Sequence, residues 1–224
     1  MKFMPWETWK TSLKNLRNFP DEIHLCPHWL GEPTIHPQFD QFVEYAFAIN
    51  SQNRLFRKFK LHTNAVVFGE KRSRLLIQLA TLKHQAPDTF NFVHFSIDAH
   101  SPDIYRIVKG ADHGKRVYRN VMRFLRHRQE ARSNYPKITI AFVVQPENAH
   151  EAIEFRDHWV QQFSQFGLSV AQRYDWPNEE EDTIYFRPLN CANQRESDAL
   201  HADVARQLGL IDSHEERLRA SESF

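Results

Sequence analysis

Segments of strand character alternate with amphipathic helical segments along most of this 224-residue chain, and that alternation restricts the fold more than any other feature. Strands joined through helices run parallel, so a repeated strand-helix unit specifies a parallel sheet with right-handed crossovers, left open or curled into a barrel. The clearest strand is Lys137 to Val144, KITIAFVV, and the helix predicted after it, from Ala149 to Phe166, keeps Ala152, Phe155, Trp159 and Phe163 in register. Gly167 closes that helix as a C-cap would. The same unit occurs earlier: Glu22 to Pro27, then a helix after His36 with Phe39, Phe42, Val43, Ala46 and Phe47 on one face; Phe59 to His62, then a helix from Ser73 to Lys83. Phe92 to Ile97 is followed by a short turn at Ser101-Pro102 and a long helix from Gly114 to Arg132, which turns Val117, Val121, Phe124 and Leu125 inward. Leu168 to Arg173 and Thr183 to Arg187 predict two more short strands, and Gln194 to Leu208 a last helix. An opening helix over residues 5–18 carries Trp6, Trp9, Leu13 and Leu16 as one stripe, with Pro5 suited to its first turn.

The length suits one well-buried α/β domain. With 29 basic against 28 acidic side chains, the net charge of +1 provides no field that would gather nucleic acid or an anionic membrane. The arginines of the helix from Gly114 to Arg132 read as a solvated face, since no aromatic platform is interleaved with them. The opening MKFMPWETWK has no apolar core of signal-peptide length and no long apolar run follows, which predicts a soluble, cytoplasmic protein. Two cysteines, Cys26 and Cys191, make neither a disulfide framework nor a four-cysteine metal site.

The stretch HLCPHWLGEPTIHP, from His24 to Pro37, ends its strand at Gly31-Glu32-Pro33, where glycine frees the backbone and proline stops the ladder. This turn, with the His-Pro pair and amphipathic helix after it, resembles the glycine-glutamate-proline turn after the second barrel strand of radical S-adenosylmethionine (radical SAM) enzymes. LHTNAVVF resembles the third-strand Thr-Asn turn of that family, FSIDAHSPDIYRIVKG its fourth strand with Ser-x-Asp and a Tyr-x-x-Val-Lys-Gly follow-on, and IAFVVQPEN its fifth. The resemblance is continuous from Met1 to about Phe166. It implies a partial, laterally open parallel (β/α) barrel of radical SAM type whose first strand is missing, with ligands at the C-terminal ends of the strands.

On this resemblance Gly31, Glu32 and Pro33 would lie against the methionyl ammonium of S-adenosylmethionine, which needs a close carbonyl and a carboxylate. Thr63, Asn64, Ser96 and Asp98 would hydrogen-bond its ribose or carboxylate, and Val144 would line the adenine pocket. Thr-Asn and Ser-x-Asp at strand ends are also ordinary turn and cap chemistry. The pattern departs from the family at Leu30, where a second glycine is usual, and at Lys109, where arginine is common; lysine keeps the charge but loses the bidentate fork. The larger departure is the [4Fe–4S] cluster implied by the family, held on a CxxxCxxC loop that has no counterpart here. The segment RPLNCANQ around Cys191 resembles a region where some members carry extra cluster cysteines, but one cysteine does not ligate a cluster.

The expected organisation is a barrel portion over residues 1–190 and a C-terminal helix with a charged, disordered tail over 191–224. Three functions follow: a truncated radical SAM enzyme acting on a peptide or small molecule, a degenerate relative serving as a binding module, or an unrelated α/β protein with a His/Cys metal site. The last rests on His24, Cys26 and His28, which share one face at period two, with His36 as a further ligand; Pro27 interrupts that strand. A missing first strand would also leave an open sheet edge at Glu22 to Pro27, inviting oligomerisation or a partner chain.

Overall fold

β-Strands and helices alternate as the periodicity requires in the computed structural model, which describes residues 3–19, 22–27, 31–81, 90–177 and 179–211. The predicted charged tail after Ser213 lies outside the described residues. Six strands, β1 (His24–Leu25), β2 (Lys58–Thr63), β3 (Phe90–Ser96), β4 (Lys137–Val144), β5 (Ala171–Arg173) and β6 (Thr183–Pro188), form one open sheet in the order β1-β2-β3-β4-β6-β5. The register of β1 on β2, β2 on β3, β4 on β6 and β5 on β6 is parallel throughout. The chain divides into two compact units, Met1–Phe95 with Val117–Ile138, and Ser96–Arg116 with Thr139–Phe224.

In the first unit α1 (Trp6–Asn15) packs through Trp9 and Leu13 on α2 (Phe39–Asn53). Trp9 stacks on Phe42 at 5.5 Å, and its Nε1–H donates to the Phe42 carbonyl at 2.9 Å, so burial of the indole leaves no donor unpaired. The buried face of α2 is Phe39, Phe42, Val43, Ala46, Phe47 and Asn50, and the helix stops at Arg54 in the left-handed region. α3 (Glu70–Thr81) and α5 (Gly114–Glu130) complete the helical layer. They are tied together where Ser73 Oγ lies 2.8 Å from His127 Nδ1.

In the second unit α6 (Ala152–Gln165) buries Ala152, Phe155, Trp159 and Phe163, as its spacing predicts, and Phe155 meets Phe142 of β4 at 4.8 Å. Gly167 ends it at φ 67°: its N–H reaches the Ser164 carbonyl and that of Leu168 the Phe163 carbonyl, a Schellman cap. α7 (Gln194–Gln207) buries Val204 and Ala205.

Some features differ from the sequence expectation. The strand expected from Glu22 to Pro27 is confined to His24–Leu25, where Pro27 stops the ladder, and that expected from Leu168 to Arg173 to Ala171–Arg173. Ser101-Pro102 opens a further helix, α4 (Pro102–Lys109), in which Ser101 Oγ accepts the Ile104 N–H at 3.2 Å and Gly110, at φ 67°, provides the stop. The strand order also reverses at the end, because β6 enters between β4 and β5. β5 is three residues long, and among the described residues no crossover helix stands between it and β6. Among the described residues no helix is long and apolar enough to cross a membrane.

Candidate functional site

Two polar clusters form just beyond the C-terminal ends of parallel strands, one in each unit. In the first, Glu32 precedes a short 3-10 turn (Pro33–Ile35) and caps it: its Oε1 accepts the Thr34 N–H at 3.0 Å and the Thr34 hydroxyl. The same oxygen accepts the Thr63 hydroxyl at 2.8 Å, and Oε2 accepts the Asn64 N–H at 2.6 Å. Thr34 and Thr63 are buried, while Glu32 is half-buried. Gly31 stands exposed at φ 93°, a backbone region that favours glycine. Arg72 secures the turn from α3 by donating to the Thr34 carbonyl and, at 3.0 Å, to Asp40 Oδ1.

The sequence-predicted residues Gly31, Glu32, Pro33, Thr63 and Asn64 therefore do come together. Their chemistry is largely spent internally, since an ionised carboxylate has about four acceptor positions and Oε1 takes three donors. Unused capacity remains on Oε2. Asn64 uses its Oδ1 for the Val66 N–H at 3.0 Å, which leaves its amide NH2 as a donor at the strand end.

In the second unit Asp98 follows β3 in the left-handed region, at φ 62°. It is 4% exposed, its Oδ1 accepts the Val143 N–H at 2.8 Å, and its Oδ2 is ion-paired with Lys109 at the end of α4. Asn148, fully buried, donates through Nδ2 to the carbonyls of Asp98 at 2.7 Å and Val143 at 2.9 Å. Glu151 accepts the N–H groups of His100 at 2.8 Å and Ser101 at 3.1 Å. Burial, with the Asp98 charge, pushes the Tyr105 hydroxyl up to about 12. Ser96 is half-buried and Val144 is buried in β4.

Sequence reasoning missed Thr34, Arg72, Asn148 and Glu151. The first follows directly on Gly31-Glu32-Pro33, and Asn148 ends the QPEN loop, so a capping side chain beside a proline was the available signal. Lys109, noted only as a departure, is the partner of Asp98.

The described members of the His/Cys metal set, His24, Cys26 and His36, do not converge. His24 Nε2 lies 3.0 Å from exposed Glu22, Cys26 is exposed, and His28 lies outside the described residues. His36 accepts the Gln38 N–H on Nδ1 at 3.0 Å, so its Nε2–H donates to the Met4 carbonyl at 3.1 Å and both nitrogens are used. Among the described residues no three His, Cys, Asp or Glu side chains converge on a position that could hold a metal ion.

A six-stranded, all-parallel open sheet with helices between its strands defines an α/β fold. No protein-family profile matches the chain, and no curated protein matches it in sequence. Solved structures do match in fold. Native anSMEcpe with bound AdoMet and Kp18Cys peptide superposes with a TM-score of 0.52 at 17% identity, over 83% of this chain and 43% of that one. Native anSMEcpe with bound AdoMet and Cp18Cys peptide gives 0.50 at 19% identity, over 73% and 41%. The chain thus spans less than half the length of these proteins, and its fold resembles part of the partial barrel of radical SAM enzymes.

Proposed function

We propose that this chain is the ligand-binding portion of a radical SAM-type barrel, with S-adenosylmethionine as its small ligand and a peptide or small molecule as its substrate. The observation that carries this reading is the turn at Gly31-Glu32-Pro33 locked onto Thr63-Asn64, in a fold similar to anSMEcpe with bound AdoMet. On this reading the methionyl ammonium meets the Gly31 carbonyl and the remaining acceptor position of Glu32 Oε2, and the Asn64 amide donates to a ligand oxygen. Ser96, Asp98 and Val144 belong to the same reading as rim residues. Residues 1–190 form the barrel portion and 191–224 an appended segment.

The residues present do not fit a [4Fe–4S] cluster. The chain has two cysteines, both exposed and with no convergent third ligand among the described residues. No reductive step is therefore derived for it, and on this reading cluster ligands come from outside these 224 residues. The degenerate binding module is the second reading, and the internal hydrogen bonds and ion pair of Glu32 and Asp98 favour it, since both carboxylates are used as framework.

Calorimetry with S-adenosylmethionine tests the proposal. Saturable but weak binding is expected, reduced about tenfold in Asn64→Ser, which keeps a turn-forming oxygen and loses the amide donor. No heat from the wild-type chain, or equal affinity in the variant, overturns it. Anaerobic reconstitution with iron and sulfide tests the argument about ligands, which a [4Fe–4S] spectrum on this chain alone would reject.

A further inference from the structure

Charge is arranged differently on α5 from the way it is on other helices. α1 pairs Lys10 with Glu7 at 2.7 Å, α3 Arg74 with Glu70 at 3.0 Å, α4 Arg106 with Asp103 at 3.2 Å and α7 Arg206 with Asp203 at 3.5 Å, each pair three or four residues apart. A solvated face of that kind compensates itself. Between Asp112 and Glu130 the sequence has no carboxylate, while Lys115, Arg116, Arg119, Arg123 and Arg126 fall within an arc of about 100° around the helix. This arc stands opposite the buried face of Val117, Val121, Phe124 and Leu125. Lys115, Arg116, Arg119 and Arg126 are exposed, and Arg123 is half-buried. Among the described residues the four exposed cations have no hydrogen-bond or ion-pair partner, whereas Arg123 donates to Asn120 Oδ1 at 3.2 Å. Glu70 and Glu130 are both held by Arg74, at 3.0 Å and 3.5 Å.

Like charges three and four residues apart oppose helix formation, and the row contains Lys115 with Arg119, Arg116 with Arg119, Arg119 with Arg123 and Arg123 with Arg126. In a chain whose net charge is +1 this is local segregation of charge, not a general excess of base. An anionic partner removes that repulsion, and guanidinium forks take carboxylates in bidentate geometry. The row is about 16 Å long and ends at a carboxylate on either side, Asp112 and Glu130, which would repel a phosphate backbone running past it. No exposed aromatic ring stands in the row to stack a base. We propose that the outer face of α5 is a docking surface for a short acidic segment of a partner protein, whose Asp or Glu side chains seat on Lys115, Arg116, Arg119 and Arg126. None of these residues belongs to the S-adenosylmethionine reading, so the surface goes beyond it.

Fluorescence anisotropy of the intact chain with a labelled oligoglutamate peptide, and separately with a labelled oligothymidylate of equal charge, tests the proposal. Saturable binding of the peptide is expected, tighter than that of the oligonucleotide and weakened by added salt. Arg119→Glu turns three like-charge pairs into opposite ones, so it is expected to raise the thermal midpoint while it weakens peptide binding about tenfold. Arg206→Glu makes the same change in net charge on α7 and should bind as the wild type does. No saturable binding of the peptide, tighter binding of the oligonucleotide, or an equal loss in Arg206→Glu overturns the proposal.

Discussion

The carboxylate of Glu32 receives the backbone N–H of Asn64 at 2.6 Å, so the loop after β1 is held by the end of β2. Asp98, after β3, receives the N–H of Val143 on β4 at 2.8 Å in the same manner. In each unit a carboxylate beyond one strand holds a donor from the next, which makes these residues supports of the rim before they are anything else.

Glu32→Ala is therefore expected to destabilise the fold by about 2–4 kcal/mol, because it strands two buried hydroxyls and two N–H groups. Glu32→Gln keeps one acceptor oxygen and should cost less. Urea unfolding at neutral pH measures both; an unchanged midpoint for Glu32→Ala would show that water replaces the carboxylate at no cost.

Lys109→Met should cost about 2–3 kcal/mol, since Asp98 is 4% exposed and would be left charged without its partner. Lys109→Arg keeps the charge and should lose less than half of that. Equal losses in the two variants would assign the effect to packing at the end of α4 instead of to charge.

Gly114→Ala is expected to destabilise by about 1 kcal/mol, although alanine is the better helix former. A Cβ there would meet Cγ of the buried Tyr105 ring at 3.2 Å. Thermal unfolding decides the sign, and a raised midpoint would mean that the ring can move.

Burial pushes the imidazoles of His127, His158 and His201 below their ordinary range, helped at His127 by Arg74 and at His158 by His100. As pH falls through about 6.5 the unfolded chain takes up protons that the folded chain refuses, so stability falls with pH in that window and is fully present above it. The urea midpoint should decline between pH 7 and pH 5, with a shallower slope in His127→Asn. A flat profile would contradict the burial argument.

Most of the fold is legible in the sequence because each strand and helix carries its own period. α6 shows this best, with four buried residues and a terminal glycine all readable locally. α4 was legible in principle, from Ser101-Pro102 at one end and Gly110 at the other, but its short length reads as a turn. The place of β6 beside β4 was not legible, because strand order is a long-range choice that periodicity does not encode. At the candidate site the turn at Gly31-Glu32-Pro33 and its Thr63-Asn64 counterpart were both visible. That Glu32 is occupied by its own chain was not, since this depends on residues about thirty positions apart meeting at 2.8 Å and less.

The reversal at the end of the sheet has a consequence for how the chain assembles. Among the described residues β5 is paired only with β6, and β6 bridges it to β4, so the earlier strand in the chain has no sheet to join until the later one has docked. A ribosome delivers β5 first, yet it must wait for the segment after residue 182 before its three residues find a ladder. Growth of the sheet past β4 is thus expected to be a late event led by Thr183–Pro188. A chain interrupted before β6 would carry β5 as an unpaired segment and would end its sheet at β4.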